Sequence, residues 1–67
     1  MKVFAERLKE LREEKEMTQR EIAKILQIAQ ASYSRYEMNT GEPSLETVVV
    51  IAKFFDVSTD YLLGLED

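Results

Sequence analysis

The side chains with the clearest chemistry in this chain are amides, hydroxyls and a guanidinium gathered within residues 18–40. Gln30 and Arg35 carry paired polar atoms that match the edges of nucleic-acid bases, and Gln19 can donate to a phosphate oxygen. The chain has no cysteine and no histidine, so it lacks thiolates, disulfides and the commonest general base and metal ligand. These residues indicate recognition by hydrogen bonding, and we expect no catalytic residue, no metal site and no cofactor.

These polar residues lie in a segment, residues 18–37, that is predicted to form two short helices joined by a tight turn. Thr18 is placed to cap the first helix, and Glu21, three residues later, can complete a capping box. An apolar stripe with helical spacing follows at Ile22, Ala23, Ile25 and Leu26. Tyr33 and Tyr36 give the second helix its inward edge, so its other side chains face outward. A short helix with small polar residues outside suits the major groove of duplex DNA.

The whole chain is predicted to be all-α, as one domain spanning residues 1–67. The predicted helices cover Val3–Lys15, Gln19–Leu26, Gln30–Glu37, Leu45–Phe55 and Thr59–Leu63. Ser44 and Ser58 are the expected N-caps of the last two helices, and Gly64 is the expected stop. The β-branched run Val48–Ile51 also fits a strand, but a lone strand would have no partner, so a helix is favoured.

The core predicted from this pattern is small. We expect it to contain Leu8, Leu11, Ile22, Leu26, Tyr33, Val48, Val49, Ala52 and Phe55. An exposed Val49 would contradict this assignment of the fourth helix. A chain of 67 residues buries only about 60% of its unfolded surface, so its stability depends on good caps or on a partner.

The formal charge of −4 is unfavourable for binding a polyanion, but the charges are unevenly distributed. Residues 1–33 carry seven basic and six acidic side chains, and residues 34–67 carry two basic and seven acidic ones, which gives +1 and −5. The acidic part can therefore face away from nucleic acid. The longest strongly apolar stretch, Val48–Phe55, is too short to span a bilayer, and the N-terminus is not a signal peptide, so a cytoplasmic location is expected.

A series of short matches runs in order along the chain: Thr18-Gln19, Ala23, Ile28, Gln30, Ser34–Glu37, Pro43-Ser44 and Val57–Gly64. In this order and spacing they resemble the lambdoid phage repressor/Cro (Xre-type) helix-turn-helix family over nearly the whole chain. The resemblance implies a compact, five-helix, lambda-repressor-like DNA-binding domain with its helix-turn-helix in the second and third helices. It also implies a homodimer on a two-fold operator, and an ion pair between Arg12 and Glu37 that ties the first helix to the third.

The resemblance and the outward positions together assign candidate DNA contacts. Base contacts are expected from Gln30, Ala31, Ser32 and Arg35. Phosphate contacts are expected from Gln19, Ser34, Asn39 and Thr40. A dimer interface is expected from Tyr61, Leu62 and Leu65, because the last helix carries more apolar residues than it can bury alone.

Two departures from the family pattern fall at the turn. Gln27 stands where the family has glycine, and a left-handed conformation there costs a non-glycine residue about 1–2 kcal/mol. Ala29 stands where the family has a capping serine or threonine, whose loss typically costs about 1 kcal/mol.

The sequence leaves two classes of function open. We favour a sequence-specific transcriptional regulator, repressor-like, that binds double-stranded DNA. The alternative is a protein-interaction module or an antitoxin-like protein on the same fold, which the acidic balance favours. An enzyme has little support, because the carboxylates lie on solvated helical faces and so small a helical bundle has no room for a sizeable pocket.

Overall fold

A computed structural model describes all 67 residues and contains helices but no strand. The helices are α1 (Lys2–Glu14), α2 (Gln19–Leu26), α3 (Gln30–Glu37), α4 (Leu45–Phe55) and α5 (Thr59–Leu62). The all-α class and the bounds of α2, α3 and α4 agree with the sequence prediction, while α1 lies one residue earlier and α5 ends one residue earlier. None of the five helices combines the length and apolarity that a bilayer crossing requires.

Three helices begin at side-chain caps that the sequence predicts. Thr18 Oγ1 accepts a hydrogen bond from the backbone N–H of Glu21 (3.0 Å), and Glu21 Oε1 accepts one from the N–H of Thr18 (2.9 Å). Ser44 and Ser58 cap α4 and α5 through their own hydroxyls. Ala29 offers no such acceptor to α3, so the first amides of α3 have no side-chain cap.

All five helices end in the same backbone motif. A residue with positive φ follows each helix, at Glu16, Gln27, Asn39, Asp56 and Gly64. In each case the next N–H bonds back to the carbonyl five residues earlier, at 2.8–3.2 Å, which is the Schellman arrangement. Only one of the five positions is glycine, which adopts this conformation without a steric penalty. The turn at Gln27 is therefore left-handed and strained.

Replacing Gln27 by glycine should stabilise the fold by up to about 1 kcal/mol, because glycine relieves the strain at φ 59°. The gain is limited because glycine is also freer in the unfolded chain. Gln27→Ala is the matched control, since it removes the same side chain but keeps a Cβ, and it should bring no gain. Urea titrations measure both free energies of unfolding. A less stable Gln27→Gly variant would show that the glutamine side chain makes a contact worth more than the strain.

One hydrophobic core holds the helices together. Its members are Phe4, Leu8, Ile22, Ala23, Leu26, Tyr33, Val48, Ile51, Ala52, Phe55 and Leu62. Seven of the nine residues predicted for the core are among them, and Leu11 is partly buried against it. Tyr33 of α3 is the largest fully buried side chain, and it anchors α3 in the core.

The ninth prediction, that Val49 is buried, is wrong. Val49 is 41% exposed, whereas its neighbour Val48 is 2% exposed. The helix is present over the predicted residues, but the side that faces the core is different: α4 buries Val48, Ile51, Ala52 and Phe55. Because almost every position of α4 is apolar, apolarity alone could not decide which side is inward.

The two adjacent valines make a matched test of this packing. Val48→Ala should lower the free energy of unfolding by about 1–2 kcal/mol, because it removes two buried methyl groups and leaves a cavity. Val49→Ala makes the same chemical change at a half-exposed site and should cost less than half as much. Urea denaturation followed by circular dichroism measures both. Equal losses for the two variants would contradict the orientation of α4.

Candidate functional site

The candidate site is the unit formed by α2, the turn of residues 27–29, and α3. The two helices pack against each other, and Ile22, Ala23 and Tyr33 are buried at their base. Tyr36 is partly buried against the same core. With Tyr33, Tyr36 and Glu37 inward, the opposite side of α3 is left in solvent.

The solvent side of α3 combines one small residue with longer polar ones. Gln30, Ala31 and Arg35 are exposed, and Ser32 and Ser34 are partly exposed. Ala31 and Arg35 are four residues apart and lie one above the other. Gln30 starts the helix beside Ala31, about 140° around the axis from Arg35. The small Ala31 allows another surface to approach the helix closely, with the polar atoms of Gln30 and Arg35 at its sides.

The free charges of this unit are positive. Its two carboxylates are both engaged within the chain: Glu21 in the capping box, where hydrogen bonds from Thr18 lower its pKa, and Glu37 with Arg12. The basic side chains Arg20, Lys24 and Arg35 are exposed and form no ion pair. Arg20 and Lys24 are not among the contact residues expected from the sequence, although their i, i+4 spacing opposite the apolar stripe of α2 is a signal that identifies them.

Glu37 lies at the centre of a buried hydrogen-bond network that joins three helices. Arg12 of α1 donates from Nε to Glu37 Oε2 (2.7 Å) and from Nη2 to Oε1 (3.1 Å), as the predicted ion pair requires. Gln19 of α2 donates to Glu37 Oε1 (3.0 Å), and the Tyr33 hydroxyl donates to Oε2. The Glu37 side chain is only 3% exposed. This one carboxylate therefore fixes the position of α3 against α1 and α2.

The network has one stable charge state at neutral pH. Burial acts to raise the pKa of Glu37, but the hydrogen bonds from Arg12, Tyr33 and Gln19 outweigh it and hold the pKa below its usual value. Burial, and then the bond to Glu37, raises the pKa of Tyr33. The hydrogen bond to Glu37 raises the pKa of Arg12. A carboxylate, a neutral phenol and a guanidinium are thus stabilised together.

These pKa shifts predict that stability falls on both sides of neutrality. The lowered pKa of Glu37 contributes stability above its unfolded value, about 4.3, and this is lost as the pH falls through the folded value. The raised pKa of Tyr33 contributes stability below its unfolded value, about 10, and this is lost as the pH rises further. Melting temperatures across the pH range measure both limbs. Glu37→Gln should flatten the acid limb, and an unchanged acid limb in that variant would contradict this role of Glu37.

All four predicted phosphate-contact residues have partners within the chain. The Ser34 hydroxyl donates to Met38 Sδ (3.7 Å). Gln19 uses one amide N–H on Glu37 and keeps a second one free. Asn39 has φ 59° at the end of α3, and its Oδ1 accepts from the N-terminal amine. The N–H of Thr40 donates to the carbonyl of Arg35 (3.0 Å). These residues are held in place at the C-terminal end of α3 and the N-terminal end of α2.

The residues predicted for a dimer interface do not share one free surface. Leu62 is 0% exposed and belongs to the core, so its assignment to an interface is wrong: α5 turns this side chain inward against α1 and α4. Tyr61 lies under the guanidinium of Arg7, 4.3 Å from the ring centroid. Leu65 alone is largely exposed, at 73%.

One open depression, of about 250 Å³, lies between the end of α2 and the start of α4. Its lining includes Leu26, Ile28 and Val50, with Glu46 as its one carboxylate. Small-molecule sites are usually larger, roughly 300–1,000 Å³. The structure brings no three potential metal-ligating side chains together.

Known proteins resemble this chain in sequence. A family model described as helix-turn-helix matches residues 8–62. The chain is 38% identical over 65 residues to the uncharacterized HTH-type transcriptional regulator YobD of Bacillus subtilis, covering 97% of this chain and 58% of that protein. It is 36% identical over 55 residues to the cryptic phage CTXphi transcriptional repressor RstR of Vibrio cholerae, covering 82% and 50%. It is 36% identical over 62 residues to the antitoxin PezA of Streptococcus pneumoniae, covering 92% and 39%.

The chain spans about half the length of the curated relatives that it matches. The matched part is the five-helix unit, with α2 and α3 inside the family match. No solved structure matches the chain significantly.

Proposed function

The chain belongs to the helix-turn-helix family, and from this premise we propose that it is a sequence-specific, repressor-like transcriptional regulator that binds duplex DNA in the cytoplasm as a homodimer. The observation that carries the proposal is the exposed side of α3, with small Ala31 between Gln30 and Arg35, on a unit whose free charges are positive. Relatives named as transcriptional regulator and repressor support it. No catalytic step forms part of this proposal.

In this proposal α3 enters the major groove with its N-terminal end deepest. The Gln30 side chain hydrogen-bonds to N6 and N7 of an adenine. Ala31 and Ser32 contact the neighbouring base, for example through the methyl group of a thymine. Arg35 reaches an outer guanine or the flanking phosphate. The uncapped amides at the start of α3 add donors at the same end.

Phosphate contacts hold α3 in register. Gln19 donates its free amide N–H, and Ser34, Asn39 and Thr40 contribute from α3 and the loop after it. Those four side chains are uncharged, and the basic pair Arg20 and Lys24 supplies the positive charge that they lack. Such contacts position the protein but carry no sequence information.

Binding to duplex DNA at several salt concentrations tests the proposal. Three free basic side chains in each subunit, Arg20, Lys24 and Arg35, give a dimer six, so the plot of log K against log salt should have a slope of up to about −5. A protein-interaction module would show weak binding to DNA with a slope near zero. Binding with no salt dependence, or no binding at low salt, would refute DNA recognition.

A second candidate is an antitoxin-like protein that binds another protein through the same fold. The observation in its favour is the net charge of −5 over residues 34–67, and the likeness to a protein named as an antitoxin supports it. The two candidates separate in the salt titration, because only DNA binding releases condensed counterions.

A further inference from the structure

α4 carries apolar residues around most of its circumference, interrupted by Glu46, Thr47 and Lys53. Besides its buried stripe it exposes Leu45, Glu46, Val49, Val50 and Lys53, which we call the α4 outer face. At 3.6 residues per turn these five residues occupy one arc of roughly 140°, opposite the buried stripe. Leu45 and Val50 are 79% and 48% exposed. An outer face is normally polar, and a helix that is apolar all round is normally covered on all sides.

The two charges on this face are placed symmetrically about its apolar centre. Glu46 and Lys53 are seven residues apart, which puts them nearly in line along the helix, about 10 Å from each other. Their midpoint falls between Val49 and Val50. Neither forms an ion pair within its own chain. A two-fold axis through that midpoint, perpendicular to the helix, places Glu46 of one copy opposite Lys53 of a second copy. By the same symmetry, Lys53 of the first copy lies opposite Glu46 of the second.

We propose that a second copy of this chain docks on the α4 outer face, with the two α4 helices antiparallel. Val49 and Val50 of both copies pack at the axis, at the usual helix–helix distance of about 8–10 Å. The parallel arrangement sets like charges opposite each other, so the charges select the antiparallel one. The role of this dimer in DNA binding rests on the proposed function. Formation of the dimer can be measured without DNA.

The size of the face sets the strength of the association. An 11-residue helix is about 16 Å long, so this face buries less than the roughly 800 Å² per partner of a standard interface. The dimer is therefore weak and depends on concentration, and the ion pairs contribute orientation more than affinity. The α5 end is the less suitable surface, since Leu62 is buried and Tyr61 is covered by Arg7.

Sedimentation velocity over a range of concentrations, without DNA, tests the surface. The wild type should self-associate at high concentration, and Val49→Lys should weaken association by about tenfold or more, since each dimer loses two central contacts. Ile25→Lys is the matched control: it makes a similar change at an aliphatic residue of α2 that is 54% exposed and lies outside the face, and it should dimerise like the wild type. Melting curves confirm that both variants fold.

Charge reversal tests the antiparallel orientation. Glu46→Lys and Lys53→Glu should each dimerise more weakly than the wild type, and the chain with both changes should recover. Mixing the two single variants should give a heterodimer tighter than either homodimer, because all its cross pairs are then attractive.

Three results would overturn the inference: a wild type monomeric up to millimolar concentration, a Val49→Lys variant that dimerises normally, or a mixture no tighter than its components. Each leaves the DNA titration untouched, so failure of this interface is distinguishable from failure of the proposed function.

Discussion

Replacing Glu37 by alanine should destabilise the domain by about 3–5 kcal/mol, the cost of leaving a buried charge without its partner. The change leaves Arg12 with only its bond to the carbonyl of Met17 (2.7 Å), and it also removes the acceptor of Gln19 and of the Tyr33 hydroxyl. A folded chain of 67 residues has a total stability of roughly 3–10 kcal/mol. The variant should therefore be partly or wholly unfolded at room temperature, which circular dichroism and urea titration detect.

Two further variants identify the cause of that loss. Glu37→Gln keeps the shape and one acceptor oxygen, so it should lose less than Glu37→Ala. Arg12→Met combined with Glu37→Met removes both charges, and its loss should be smaller than the sum of the single losses. A Glu37→Ala loss below about 1 kcal/mol would instead mean that the pair behaves like an exposed salt bridge.

Replacing Gln30 by alanine should weaken binding to the preferred DNA site by about 1–3 kcal/mol, roughly 5- to 150-fold. Gln30 is exposed at the first position of α3 and has no partner within the chain, so its loss should leave folding unchanged. The measurement is binding to a preferred and a scrambled duplex at one salt concentration. The ratio of the two affinities should fall, because a base contact carries sequence information.

Gln19→Ala is the comparison for that result. It should weaken binding to both duplexes by a similar factor, because a phosphate contact does not depend on sequence. Since Gln19 also donates to Glu37, its stability must be measured alongside, so that a folding loss is not mistaken for a binding loss. If Gln19→Ala lowers the ratio and Gln30→Ala does not, the roles assigned to α2 and α3 are reversed.

The helices were predictable because their signals are local. Thr18, Ser44 and Ser58 each cap the helix that starts one residue later, and such caps are read from a few neighbouring residues. The pairing of Arg12 with Glu37 came from the family resemblance and is present in the structure.

The features that escaped prediction depend on residues far apart in the sequence. The inward side of α4 could not be read from a helix that is apolar at nearly every position, and the error at Val49 follows from that. The sequence predicts an interface role for Leu62 because nothing nearby in the sequence shows that α5 folds back onto the core. The bond from Gln19 to Glu37 joins residues 18 positions apart, so only the folded chain reveals it.

Parallel selection from a random duplex library by the wild type and by Gln30→Ala tests most directly whether α3 reads a DNA sequence. The wild type should enrich a two-fold repeated motif with half-sites about 10 base pairs apart. Gln30→Ala should enrich the same motif with one position in each half-site relaxed. No enriched motif with the folded wild type, or identical motifs from the two proteins, would contradict the assignment of α3 as the reader.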